Sequence, residues 1–160
     1  ILRKKFPDVR VIVAGDGPET DTLKKLSHDL GMENAVSFLG KVSRAETWHI
    51  RKTSSVYALN STYEGLPHTI LTSFAAEIPV VATDISGTDE AVYHEKTGLL
   101  VKPGDDTALV QAIERLFTDK ALCAQLVDGG TKLLKEKFSW PGHLAGLDSI
   151  FESVLAKPRN

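Results

Sequence analysis

The chain has 160 residues, 42% hydrophobic and 25% charged, values that belong to a folded soluble domain and exclude disorder along its length. A formal charge of −2 excludes a dominant nucleic-acid footprint, which needs Lys and Arg in marked excess on one face. The single cysteine, Cys123, excludes an intrachain disulfide and suits a reducing cytoplasm, and no apolar run approaches the roughly 20 residues that span a bilayer, so any membrane contact is expected to be peripheral.

Residues 1–6 read as the end of a helix, Arg3-Lys4-Lys5 as its solvated charges, and the chain as a fragment of a longer one. Pro7-Asp8 stops that helix, and the β-branched run 9–14 predicts a strand. Gly15-Asp16-Gly17-Pro18 turns the chain into a helix over about 18–30, with Glu19 and Asp21 at its positive end and Gly31 past its last turn. Gly15 and Gly17 form only a partial dinucleotide fingerprint, because Thr20 stands where the third glycine belongs. A nicotinamide site is therefore disfavoured, and the glycines are assigned to a tight turn. A second strand over 35–39 ends at Gly40-Lys41-Val42, and Ser43 with Glu46 three residues on makes a capping-box pattern for a helix over 43–52.

The third strand, 56–60, leads into the run that organises the rest of the chain, Tyr63-Glu64-Gly65-Leu66-Pro67-His68-Thr69. Gly65 lets the backbone approach a ligand, and Pro67 suits a first helical turn because its absent N–H would have no partner there. The amides of His68, Thr69 and Ile70 are then unpaired at the positive end of a helix dipole, an arrangement that favours phosphate. Helical spacing puts Ile70, Leu71, Phe74 and Ala75 on a packing side and Thr69, Thr72, Ser73 and Ala76 on a small polar side able to receive a ligand. The same residues also fit an ordinary crossover helix with one exposed glutamate. His68 reads equally as a phosphate or sugar contact and as a surface histidine, and Lys41 equally as a ligand contact and as a solvent-facing charge.

A fourth strand follows at 79–84, then a loop entering a short helix through His94, and a fifth strand at 98–101. Asp105 caps a helix over 106–117. The next, over 120–137, is expected to weaken or break at Gly129-Gly130. Trp140-Pro141-Gly142 punctuates before a last helix over 143–155, and 156–160 is expected to fray. Cys123 reads as a small core or helix-surface residue. His28, His49, His94 and His143 have no spacing with Cys, Asp or Glu that suggests zinc, and no metal or other cofactor is expected. No pair of opposed carboxylates supports glycoside hydrolysis.

The alternation predicts one α/β domain over 1–160, a Rossmann-like doubly wound parallel sheet with helices on both faces. Gly15, Gly40, Asn60 and Asp84 end successive strands, and in such sheets ligands bind beyond those carboxyl ends.

Glutamate, glycine, apolar residue, proline, a helix of small residues, Pro79-Val80-Val81-Ala82-Thr83-Asp84, then Gly87 and Glu90: this order resembles the C-terminal domain of the family 4 glycosyltransferases of GT-B fold. Val11 to Pro18, Val36 to Gly40 and Thr97 to Asp105 fall in the same order, so the resemblance spans about 6–155. It implies the donor-binding half of a GT-B enzyme that takes a sugar from a nucleotide diphosphate and transfers it with retention, in surface polysaccharide or glycolipid synthesis, in the cytoplasm or at the inner face of its membrane. By the same resemblance Glu64 is the catalytic residue and meets the donor sugar hydroxyls, Gly40, Lys41 and Val42 lie near the base, Gly65, Leu66, Pro67, His68, Thr69 and Thr72 bind the donor, and Glu90 matches a glutamate after the glycine loop. The family's opening strand, its paired basic residues and its N-terminal acceptor domain belong ahead of Ile1. The acceptor domain is thus the expected partner, the fragment alone is expected to be inactive, and the sheet is expected either to close over the missing strand or to take a partner segment.

Two positions depart from the family pattern. Thr72 stands where a second glutamate would accept ribose hydroxyls, and Glu77 stands where glycine is common. A threonine cannot supply a charged acceptor to two hydroxyls. That substitution keeps a second implication open, a non-catalytic module with an assembly or regulatory role.

Overall fold

In the computed structural model, which describes residues 1–156, helices separate the strands except between the fourth and fifth, which turns connect, and the five strands pair in parallel. The strands are hydrogen-bonded into two sheets, β1-β2 and β3-β4-β5, so the expected closure into one sheet is not what the chain does. The structure resolves into two compact units, Ile1–Thr53 and Ser54–Asn160.

The first unit holds α1 (Leu2–Lys5), β1 (Val11–Ala14), α2 (Thr20–Asp29), β2 (Val36–Gly40) and α3 (Arg44–Thr53). Val11 pairs with Val36 and Val13 with Phe38, and the register slips at Ala14, where Gly40 takes φ +62°. Only Ser27 and Ala35 are buried here, and Ile12 and Leu39 stay 45% exposed, because a two-stranded sheet offers too little area to bury both of its faces. Gly31, at φ +64°, ends α2 in a Schellman motif: its N–H donates to the carbonyl of His28 and that of Met32 to the carbonyl of Ser27.

The second unit contains β3 (Tyr57–Leu59), α4 (His68–Ala75), β4 (Val80–Thr83), β5 (Leu99–Val101), α5 (Asp106–Thr118), α6 (Lys120–Lys137) and α7 (Trp140–Leu155). β4 is central and buried along its whole length, as its uninterrupted apolar run requires. On one face Val81, Leu99 and Val101 pack with Ala112, Leu116, Leu122 and Leu126 of α5 and α6; on the other Val80 and Ala82 pack with Ile70 and Phe74 of α4. Helices thus cover both faces, the doubly wound arrangement read from the sequence. Phe74 and Ile70 are essentially inaccessible, each contributing roughly 2–3 kcal/mol of burial.

Several elements differ from expectation. Residues 86–91 form successive turns, and no helix runs through His94. Trp140-Pro141-Gly142 lies inside the first turn of α7, with the Ser139 hydroxyl accepting from the Gly142 N–H, because proline near a helix start costs no hydrogen bond. α6 runs unbroken through Gly129 and Gly130. A Cβ at Gly129 would stand 2.0 Å from the carbonyl oxygen of Lys96, and one at Gly130 2.5 Å from the Phe74 ring, so these glycines mark where α6 is pressed against its neighbours. Asp105 caps α5 as expected, accepting from the Ala108 N–H at 2.8 Å. Cys123 is half-buried, its thiol donating to the Leu116 carbonyl, and burial followed by the nearby Asp119 charge raises its pKa. Of the expected frayed tail, 157–160 lies outside the described residues.

Candidate functional site

Glu64 sits on the connection 60–67, between β3 and α4. Its Oε1 accepts from the Ser61 hydroxyl at 2.8 Å, and the Ser61 carbonyl in turn accepts from the hydroxyl of Thr83, the last residue of β4, at 2.6 Å. The turn after β4 closes on the same connection: at Gly87, φ +88°, a Cβ would stand 1.7 Å from the Gly65 carbonyl oxygen and 2.7 Å from that of Glu64. Only a glycine permits that approach. Ser61, Thr83 and Gly87 therefore hold the carboxylate's backbone and one of its oxygens. The Ser-x-x-Glu spacing was the one signal in the sequence for the Ser61 contact.

Pro67 is the N-cap of α4, one position earlier than the first helical turn assigned to it, and the helix has neither a side-chain cap nor an acidic residue in its first turn. The N–H of Ile70 is not available, since it donates to the Pro67 carbonyl at 2.9 Å. Those of His68 and Thr69 receive no acceptor among the described residues, so two of the three expected amides remain at the positive end of the helix. His68 and Thr69 are exposed, Leu66 is half-buried and Pro67 is buried.

The helix is rotated from the expected facing. Ser73 and Ala76 are buried and Ala75 is exposed, leaving His68, Thr69, Thr72 and Ala75 as the open stripe. Both the sheet and α6 press on α4, and periodicity alone does not register the second contact. The Thr72 hydroxyl donates back to the carbonyls of His68 and Thr69, each at 3.0 Å, so its proton is used within the helix and only lone pairs remain for a ligand. Glu77, at φ +60°, occupies the left-handed position of a second Schellman motif, with its N–H to the Phe74 carbonyl and that of Ile78 to the Ser73 carbonyl. That geometry favours glycine. Glu90 is exposed, and its carbonyl accepts from Lys137 Nζ at 3.2 Å.

In the first unit, Gly15 and Gly40 meet at the ends of their strands, the Gly15 N–H donating to the Gly40 carbonyl. Beyond Gly40 an open crevice of about 470 Å³ has apolar walls from Leu39, Val42, Ala45 and Ile50, with Lys41, Glu46 and His49 at its polar positions. Lys41 and Val42 thus line a cavity, whereas Gly40 shapes the backbone that leads to it. Glu46 closes the expected capping box, accepting from the Ser43 N–H at 2.7 Å while its own N–H donates to the Ser43 hydroxyl. Those Ser43 contacts, side chain first and backbone second, lower its pKa. At the turn into α2 the Gly17 N–H is bound to Asp16 and Thr20, and the Thr20 hydroxyl donates to Asp16, so that turn is satisfied within itself. Among the described residues no cluster of His, Cys, Asp or Glu is arranged to hold a metal, and no helix is long and apolar enough to cross a membrane.

Residues 1–133 match the family model described as glycosyl transferases group 1. A lipopolysaccharide core biosynthesis glycosyltransferase, LpsD of Rhizobium meliloti, is 30% identical over 154 residues, covering 96% of this chain and 44% of its own. A putative glycosyltransferase of Bacillus subtilis, EpsD, is 33% identical over 132 residues, 82% of this chain and 34% of its own. Among solved structures, Anabaena HepE in complex with UDP superposes with a TM-score of 0.82 at 27% identity, over 92% of this chain and 42% of that one. The chain therefore spans less than half the length of these relatives.

Proposed function

The chain belongs to the group 1 glycosyltransferases and has the fold of their GT-B structures, and from that premise we propose that it is the donor-binding part of an enzyme that transfers a sugar from a nucleoside diphosphate to an acceptor with retention of configuration. The observation that carries this reading is the pairing of a held carboxylate, Glu64, with the uncapped, acid-free start of α4 a few residues later. In the reaction proposed, the bond between the sugar C1 and the diphosphate oxygen breaks, its electron pair leaving with the diphosphate. C1 bonds to an acceptor hydroxyl oxygen, whose proton passes to the departing diphosphate. The His68 and Thr69 amides meet the charge that develops on the leaving diphosphate, a contribution of roughly 10²–10³ in rate for donors already oriented in this way. Glu64 accepts hydrogen bonds from the sugar hydroxyls, and its charge favours the positive character that grows at C1. These roles invoke no metal.

HepE supports the choice of donor class, since it is structurally close over nearly all of this chain and binds UDP and UDP-glucose. Gly40, Lys41, Val42 and Glu90 remain donor contacts by the resemblance of the segments that carry them. A lipopolysaccharide core biosynthesis enzyme among the relatives supports a surface glycan or glycolipid as the product, and its synthesis in the cytoplasm or at the inner membrane face is part of the same proposal. An N-terminal acceptor domain is the proposed partner, without which this chain is inactive. α7 is suited to such a partner. Trp140, Leu144, Leu147, Phe151 and Val154 recur in steps of four and three and are all exposed, an apolar stripe rarely left uncovered.

Calorimetric titration of the full-length protein with UDP, GDP and ADP tests the reading. One diphosphate is expected to bind, and Thr72→Glu, which puts a charged acceptor on the open stripe of α4, separates the readings: no change or a loss of affinity fits a pocket adapted to threonine, and a large gain fits a decayed one. Failure of all three to bind would favour the second reading, a non-catalytic module, for which the specific observation is Thr72 at the position where the resemblance implies a second glutamate.

A further inference from the structure

A carboxylate that must meet sugar hydroxyls has to be held within about 0.5 Å of its working position, and Glu64 stands on a connection with no regular secondary structure to hold it. Two hydroxyls perform that task. Thr83 closes β4, the central strand of its sheet, and is 1% exposed, so its position is set by the core. Its hydroxyl donates to the Ser61 carbonyl at 2.6 Å, and the Ser61 hydroxyl donates to Glu64 Oε1 at 2.8 Å. We propose that Thr83 and Ser61 are positioning residues for Glu64, a two-step relay that carries the rigidity of β4 to the carboxylate.

The relay has a chemical consequence as well as a mechanical one. Ser61 occupies Oε1, whereas no hydrogen bond from a described residue reaches Oε2. An ionised carboxylate has about four acceptor sites. With one oxygen engaged, the other is left as the acceptor for the donor's hydroxyls, and Ser61 thereby selects which oxygen faces the sugar. Gly87 completes the support by its approach to the Gly65 carbonyl, which blocks retreat of the backbone on that side. Neither Ser61 nor Thr83 needs to touch the ligand.

Both roles rest on Glu64 meeting the donor sugar, as proposed above. The test compares the affinity of a nucleotide sugar with that of its bare diphosphate in the full-length protein, using UDP-glucose with UDP and GDP-mannose with GDP. The ratio reports the sugar contact alone. Ser61→Ala is expected to lower it about tenfold and Thr83→Val about threefold, with affinity for the bare diphosphate unchanged. Ser61→Thr and Thr83→Ser, which keep the hydroxyls, are expected to restore it. If Glu64→Gln lowers the ratio while Ser61→Ala and Thr83→Val leave it intact, the relay is overturned and the donor reading stands. Should Glu64→Gln leave the ratio unchanged, or the wild type bind none of UDP, GDP and ADP, the donor reading itself fails and the relay goes with it. Thr83 is buried and its valine variant risks misfolding; Ser61 is half-exposed, and its alanine variant then decides the matter by itself.

Discussion

Two turns in this chain connect a parallel strand to a helix by way of glycine and proline, and they end in opposite states. The turn into α2 is closed by its own side chains: Gly17 donates to Asp16 and Thr20, Thr20 donates to Asp16, and Glu19 and Asp21 add negative charge at the helix start. The turn into α4 carries no acidic residue in its first turn and no cap, and it is held from outside, by Ser61, Thr83 and Gly87. The positive end of a helix serves an anion only if the chain has not already supplied one. Glycine content does not distinguish the two turns; the location of the carboxylates does.

The largest effect is expected from removing the external support. Gly87→Ala places a methyl 1.7 Å from the Gly65 carbonyl oxygen at a φ of +88°, and is expected to cost about 3 kcal/mol or more by chemical denaturation, with loss of nucleotide binding. Gly17→Ala is the matched change in the self-closed turn. Nothing lies within 4 Å of its new methyl and its φ is not in the left-handed region, so a loss within about 0.5 kcal/mol is expected. Equal costs would show that both turns are held in the same way.

A second change gives α4 what α2 already has. Thr69→Asp puts a carboxylate in the first turn of α4, where it should raise stability by about 0.5 kcal/mol through the dipole while weakening nucleotide diphosphate binding about 100-fold. The opposed signs are the informative result. A stabilised variant with undiminished affinity would remove the α4 amides from the site.

The strands and most of the helices could be read from local sequence, since β-branched runs and the Asp105 and Ser43 caps are signals carried within a few residues. The errors fall where distant segments meet. Helix propensity, which considers only the helix, makes Gly129 and Gly130 a weak point, whereas their reason is the Lys96 carbonyl and the Phe74 ring. Periodicity taken for a single packing surface puts Ser73 and Ala76 on the ligand side of α4, whereas the helix has two such surfaces. The split into two sheets was likewise beyond a reading of strands one at a time. At the candidate site, Glu64 and the helix start were visible as a local pattern, but Thr83, 22 residues from the Ser61 it binds, left no local mark.

The helix ends extend the comparison at smaller scale. α2 and α4 both finish in a Schellman motif, with Gly31 in one and Glu77 in the other at nearly the same φ, +64° and +60°. A side chain in the left-handed region costs roughly 1 kcal/mol. Glu77→Gly is therefore expected to stabilise by about 0.5–1 kcal/mol, and Gly31→Ala, with nothing within 4 Å to clash, to lose about 1 kcal/mol. Thermal melts of the two variants check the signs. A destabilising Glu77→Gly would mean that its side chain contributes more than its backbone costs.

The smallest effect belongs to α3, a third helix start and, like that of α2, one satisfied by its own residues. Glu46 is held below the ordinary carboxylate pKa by the Ser43 hydroxyl first and the Ser43 N–H second. Because the folded-state value is the lower one, the stabilisation is fully present above the pKa of the unfolded chain and is lost as pH falls through the folded value. The difference in melting temperature between wild type and Glu46→Gln should then shrink on acidification across that window and stay constant above it. An amide can still accept the Ser43 N–H but carries no charge to lose, so a gap that persists at low pH would assign the cap to geometry alone. A closing gap would assign it to the charge, the same quantity that the start of α4 lacks.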